Sequence, residues 1–365
     1  MRTLVAIAGL LLAAQEEPEW ASFHGGPALE GVADTALPDA PARLWEFKAG
    51  QPVEHPPVVG DGKIFVATAK NTLFALDWNG RQVWASTLKD DTFTTPPFYS
   101  SKAVFAGTGS GALCAFDAAT GRERWRYKAG DSLMGTPNRV DLAGGRKGII
   151  IISQADGAVH CVDLETGKPE WTTDKVERCD GHPSAGGGRI VLGSCASALH
   201  VYTGGKEPSR KDIPLGEDGQ VAGGVALSGK MAYAGTRGGK VYAVDVEAGK
   251  ILWKNDSTRS EAFTTPAVND RFVVFGAHDG KVYGLDRGTG AKVWEADTGD
   301  SPSSPVIARD RVAVSSKGSL LLLDLATGKK VWSARVSDAI TGPAVVRGRM
   351  IVGTDSGVVA AFGKE

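Results

Sequence analysis

Cysteine is scarce in this chain: four residues in 365, no two of them adjacent. No C-x-x-C-H stretch occurs, which excludes covalent haem attachment. The nucleophile elbow G-x-S-x-G, the zinc motif H-E-x-x-H, the phosphate-binding P-loop and D-x-D-x-D-G calcium loops are missing too. An excess of charge of either sign is also lacking. Lys and Arg number 41 against 42 Asp and Glu, for a net charge of −1. Without a basic surplus, a phosphate backbone finds no electrostatic footprint, so nucleic acid is excluded as a partner. Past the N-terminus no apolar run is long enough to cross a bilayer. What remains is ordinary globular composition, 42% hydrophobic, with glycine raised to 48 residues. Such a glycine count suggests many tight turns.

The first residues, MRTLVAIAGLLLAA, carry one Arg, a dozen apolar residues and small residues at Ala13 and Ala14. This predicts a cleaved secretory signal peptide over 1–14 and an extended segment over 15–43. No Cys follows to carry a lipid. The mature chain is expected to be soluble, periplasmic or extracellular, probing no membrane with a span of its own, and monomeric.

One motif then repeats. AFDAATGRERW (115–125), CVDLETGKPEW (161–171), AVDVEAGKILW (243–253), GLDRGTGAKVW (284–294) and LLDLATGKKVW (322–332) share one pattern. Gly follows Asp by four and Trp follows it by eight; ALDWNGRQVW (75–84) is a copy one residue shorter. An apolar strand runs into an Asp able to cap a turn, Gly takes the positive φ, and a second strand leaves with the Trp. A further hairpin precedes each copy, as in SSPVIARDRVAVS (303–315), with a Pro where its first strand begins. Each unit is thus four strands, A to D.

The Asp-type positions are Asp77, Asp117, Asp163, Thr203, Asp245, Asp286, Asp324 and the terminal Phe362–Gly363. The Trp-type positions are Trp45, Trp84, Trp125, Trp171, Ile213, Trp253, Trp294 and Trp332. The lists have equal length but are offset, because strand LWEFKAG (44–50) has no unit before it and VVAAFGKE no Trp strand after it. A ring resolves the offset: the N-terminal strand completes the last blade. The prediction is an all-β, eight-bladed β-propeller over 44–365, with the tryptophans packed between blades.

The A-x-D-x-x-T-G-x-x-x-W repeat resembles the tryptophan-docking motif of the pyrroloquinoline-quinone (PQQ) β-propeller superfamily. The lead-in EWASFHGGPALEGVADTALPDAPARLWEF (19–47) is similar to that of its secreted bacterial members. The superfamily holds quinoprotein dehydrogenases and non-catalytic propellers of the BamB type, which serve outer-membrane β-barrel assembly. The dehydrogenases carry PQQ with Ca²⁺, a catalytic Asp and a disulfide between adjacent cysteines. This chain departs from them in lacking that cysteine pair and their long insertions. The resemblance therefore implies a binding scaffold without cofactor, with a protein, peptide or saccharide partner; a small PQQ-dependent dehydrogenase is the alternative.

The longer, more varied D–A loops share one face with the B–C loops, so a site is expected there, near the central channel. His55, Thr95, Thr136, His182, Thr265 and Ser304 hold one repeat position before strand A and are the channel-rim candidates. Loop acids such as Glu54, Asp91, Asp131, Asp180 and Asp338 read as solvated charges. In CDGHPSAGGGRIVLGSC (179–195) a hairpin centred on Gly187 sets Cys179 and Cys195 eight residues to either side. That spacing predicts a disulfide, with free thiols or a Cys–His metal site as alternatives. Cys114 and Cys161 lie in strands C one register apart, and both are expected buried and unpaired.

Overall fold

The computed structural model describes residues 20–204, 207–258 and 260–364. The predicted signal segment, 1–14, lies outside the described residues. Eight sheets radiate from an axis, each with a core of four antiparallel strands that are consecutive in sequence in all but the last. Blade 1 comprises Val58–Gly60, Lys63–Ala67, Thr72–Leu76 and Gln82–Thr87 as strands A to D. Blade 8 takes strands A to C from the C-terminus and D from the N-terminus. Ala42–Lys48 pairs antiparallel with Val358–Gly363, Trp45 opposite Ala361. The ring is thereby closed through main-chain bonds, and no blade is left with a loose outer edge at the junction.

Strands B and C are buried along nearly their whole length because each sheet is sandwiched between two others. In blade 1, Ile64 to Ala67 and Leu73 to Leu76, apart from Phe74 at 8%, are 0% exposed. Cys114 packs in the seam between blades 1 and 2, and Cys161 in the seam between blades 3 and 4. Both are buried free thiols whose pKa burial pushes up to about 12.

The repeat motif works as a clasp between neighbours. The turn Asp accepts the N–H groups two and three residues on; Asp117 Oδ1 takes Ala119 N at 3.1 Å and Thr120 N at 2.9 Å. The Trp of one blade then lies on the turn of the next. Trp84 Nε1 donates to the Ala118 carbonyl at 3.1 Å, and a Cβ on Gly121 would stand 2.6 Å from the indole. Trp45, Trp125, Trp253 and Trp294 repeat the bond, to Trp78, Leu164, Arg287 and Leu325 at 2.8–3.2 Å. Trp332 packs edge-on to Phe362 instead.

Blade 4 (Ser184–Gly186, Arg189–Gly193, Ala198–Thr203, Ser209–Pro214) corrects one assignment. The Trp position there is Lys211, not Ile213. Lys211 pairs with Val201 as Trp253 pairs with Ala243, and Ile213 lies two residues further out. Lys211 Nζ donates to the Glu247 carbonyl at 3.0 Å and covers Gly249, so a cation does the indole's work.

The predicted disulfide is a second correction: Cys179 and Cys195 are free. The loop ladder runs one residue out of the expected register, with Cys195 N–H donating to the Arg178 carbonyl at 3.0 Å. The Cys179 N–H turns instead to Gln154 of blade 3. Its thiol is buried against that blade, 2.9 Å from where a Gly157 Cβ would sit, while Cys195 is half-exposed.

Candidate functional site

The inner strands leave one edge facing the axis, and an unpaired edge needs partners. Residues 20–35 supply them by crossing the mouth of the channel on the face of the A–B and C–D turns. Carbonyls of Trp20, Ala21, Pro27, Ala28, Glu30 and Gly31 accept the N–H groups of Val59, Tyr99, Ala185, Leu227, Val268 and Ile307, at 2.7–2.8 Å. Val32–Ala33 then adds a short parallel strand to blade 7. Sequence reasoning placed an extended segment here but missed its task. No local periodicity marks it, since its conformation is imposed by the strand edges it caps.

This segment plugs the channel. Leu29 is fully buried at φ 55°. His24 is buried, its two ring nitrogens 2.8 and 2.7 Å from the carbonyls of Leu29 and Pro305. Burial lowers its pKa while those carbonyls pull the other way. Phe23 stacks on His182 with ring centroids 3.9 Å apart.

Each of the six rim candidates has a polar group bonded within the fold. Thr136 N–H donates to His182 Nδ1 at 2.9 Å, Thr265 N–H to Ser304 Oγ at 2.9 Å, and Gly224 N–H to Thr265 Oγ1 at 3.0 Å. Each bond joins one blade to the next. Thr95 Oγ1 accepts from Gly107 N–H at 2.8 Å within its own blade, and His55 meets the backbone at Phe93. Desolvation drops His55 to about 4 and His182 to about 3, with His24 and His55 adding to the effect on His182. An Nδ1 that accepts a hydrogen bond must be unprotonated, so His182 is a neutral spacer between blades.

A PQQ site on the axis would have to use these same residues. A flat quinone needs an open stacking face on the axis; here Phe23 already covers His182. Among the described residues, no three His, Cys, Asp or Glu converge to hold a metal ion. Of the loop acids, Asp91 is bound to Ser110 and Thr92, and Asp131 to Ser132.

The cavities described next to the plug open on the turn face, opposite the loop face where the sequence suggested a site. The most enclosed, of about 280 Å³, lies in the seam between blades 3 and 4 beside Trp171, Tyr202 and Arg189. Among the described residues no helix is long and apolar enough to cross a membrane.

Comparison with known proteins agrees with this architecture. The family model for outer membrane protein assembly factor BamB matches residues 35–172 and 155–365. A BamB from Burkholderia pseudomallei is 27% identical over 244 residues, 64% of this chain and 62% of that protein. The chain thus aligns with about three-fifths of that relative. The crystal structure of BamB from Moraxella catarrhalis superposes with a TM-score of 0.72 over 89% of this chain and all of that one, at 19% identity. A europium-containing methanol dehydrogenase superposes at 0.79, covering 96% and 99%, at 14% identity. An assembly factor and a dehydrogenase share the fold, so the fold alone does not choose between them. With all eight blades inside the two matched stretches, the chain belongs to the family of outer membrane protein assembly factor BamB.

Proposed function

We propose that this chain is an exported, non-catalytic propeller that acts as a monomeric scaffold in outer-membrane protein assembly, presenting its loop-rich face to a protein partner. The observation that carries the reading is the state of the channel rim. Thr95, Thr136, His182, Thr265 and Ser304 are committed to bonds within and between blades, and the axis is filled by residues 20–35. What is left to contact another molecule is the outer surface of a rigid ring, with D–A loops carrying exposed charges such as Lys89, Asp90, Glu217 and Asp338. Family membership supports the same role. The expected signal peptide would place the chain in the periplasm, where such a partner is available. The test is capture from an envelope extract by purified chain. Components of the outer-membrane assembly machinery should be retained, and charge reversal in the loops 88–95 and 216–220 should release them. Retention of PQQ and Ca²⁺ through desalting, with dye reduction by alcohols, would replace this reading with the dehydrogenase one.

A further inference from the structure

The plug is fastened to the channel at two buried histidines that no carboxylate supports. His24, on the plug itself, is 3% exposed. Its ring nitrogens stand 2.8 Å from the Leu29 carbonyl and 2.7 Å from the carbonyl of Pro305, just before strand A of blade 7. A neutral imidazole has one N–H, so it satisfies one of these oxygens and faces the other with a lone pair. The ring lies hard against Gly31, where a Cβ would stand 2.2 Å from His24 Cε1. His182, at the entry to blade 4, holds the other contact. Phe23 of the plug covers its ring, centroids 3.9 Å apart, while its Nδ1 accepts the Thr136 N–H at 2.9 Å. An imidazolium would keep the stacking but lose that bond and set two N–H groups against each other.

The charges that reach these rings are those of other histidines. His24 and His55 bear on His182, and among the described residues no carboxylate, Lys or Arg compensates either ring. Glu30, Asp34 and Arg347 line the groove along the plug with His24, but none of them bonds to it. Burial holds both rings below the ordinary 6.5, His182 at about 3. A plug that swings out returns the rings to water and to ordinary protonation. Protons therefore bind the released state more tightly. The stability these rings give the plug is whole above pH 6.5 and is lost as pH falls below it.

The clasps further out titrate in another range. Arg124 beside Asp117 holds its carboxyl at about 2, and Lys230, Thr289 and Thr327 hold Asp245, Asp286 and Asp324 below the ordinary carboxylate range. Their contribution is whole above about pH 4 and is lost only below it. Between pH 6.5 and about pH 4, acid thus weakens the plug and spares the clasps.

We propose that residues 20–35 form an acid-released plug: protonation of His24 and His182 frees the segment from the channel mouth while the eight blades stay clasped. Release leaves the N–H groups of Val59, Tyr99, Ala185, Leu227, Val268 and Ile307 without their plug carbonyls. The channel mouth on the turn face stands apart from the loop face of the proposed function, so each can fail without the other.

Hydrogen–deuterium exchange of the whole protein at pH 7 and pH 5, corrected for the intrinsic rate at each pH, reads plug and clasps in one sample. Peptides carrying the six N–H groups should lose protection about tenfold or more at pH 5, while turn peptides around Asp117 and Asp324 keep theirs. The double variant His24→Gln, His182→Thr should abolish the difference between the two pH values; threonine is the residue type of Thr95, Thr136 and Thr265. The wild-type comparison decides even where the double variant does not fold. Equal protection of the six N–H groups at both pH values overturns the proposal. So does loss of protection by plug and clasp peptides together, which would be acid unfolding of the whole ring. A double variant that folds at pH 7 and still releases the plug at pH 5 overturns it as well.

Discussion

The clasp between blades makes a quantitative prediction at Gly121. Its φ is 73°, and a Cβ there would sit 2.6 Å from the Trp84 ring. Gly121→Ala therefore acts twice. A left-handed alanine costs about 1–2 kcal/mol. The methyl must also push the indole aside, which breaks the 3.1 Å bond to Ala118 and uncovers a ring now 8% exposed. Loss of that bond costs about 0.5–1.5 kcal/mol, with a similar amount for the exposed ring. Gly62 is the control: its φ is 67°, but nothing lies within 4 Å of its would-be Cβ. Gly62→Ala should show the backbone term alone, leaving about 2 kcal/mol between the two variants. Urea unfolding followed by tryptophan fluorescence reads the difference, provided the slopes agree. Equal destabilisation by both substitutions would refute the docking account.

Acid should loosen the ring. His55 and His182 have folded pKa values of about 4 and about 3, below the ordinary 6.5, so the unfolded chain binds their protons first. Their contribution is whole above pH 6.5 and is lost as pH falls toward 4 and 3, about 2 kcal/mol each by pH 5. His182→Thr, the residue type at this position in three other blades, should flatten the melting temperature between pH 7 and 5; an unchanged slope would contradict the neutral-spacer role. Denaturing alkylation should label four thiols per chain, whereas native labelling should reach Cys195 first; a mass showing two blocked thiols would restore the Cys179–Cys195 bridge. Lys211→Met should lower stability by about 1 kcal/mol through the lost bond to Glu247. Deleting residues 20–33 uncovers six strand N–H groups and should cause self-association detectable by light scattering; a monodisperse product would show that the plug is dispensable.

The blade count, the ring closure and the tryptophan seams were legible because each rests on a local pattern repeated many times. Three features were not. Lys211 was hidden because an apolar Ile213 stands nearby, and only the strand register shows which residue faces the next blade. The cysteine pair failed on a register slip of one residue, which a hairpin centre read from a glycine run does not reveal. The plug left no periodic trace, since its geometry comes from partners scattered between Val59 and Ile307. The rim positions were legible as one repeat position before strand A. Their bonding between blades was not, because a hydroxyl or imidazole looks the same in sequence whether it meets a ligand or a neighbouring strand.

The central claim is that this propeller holds a protein partner rather than transforming a substrate. The most direct measurement is mass-spectrometric identification of proteins cross-linked to the tagged chain in its own envelope, compared with a variant reversed in charge across loops 88–95 and 216–220. Components of outer-membrane assembly enriched with the wild type and lost with the variant are the predicted result. A wild-type sample that enriches none of them would contradict the account.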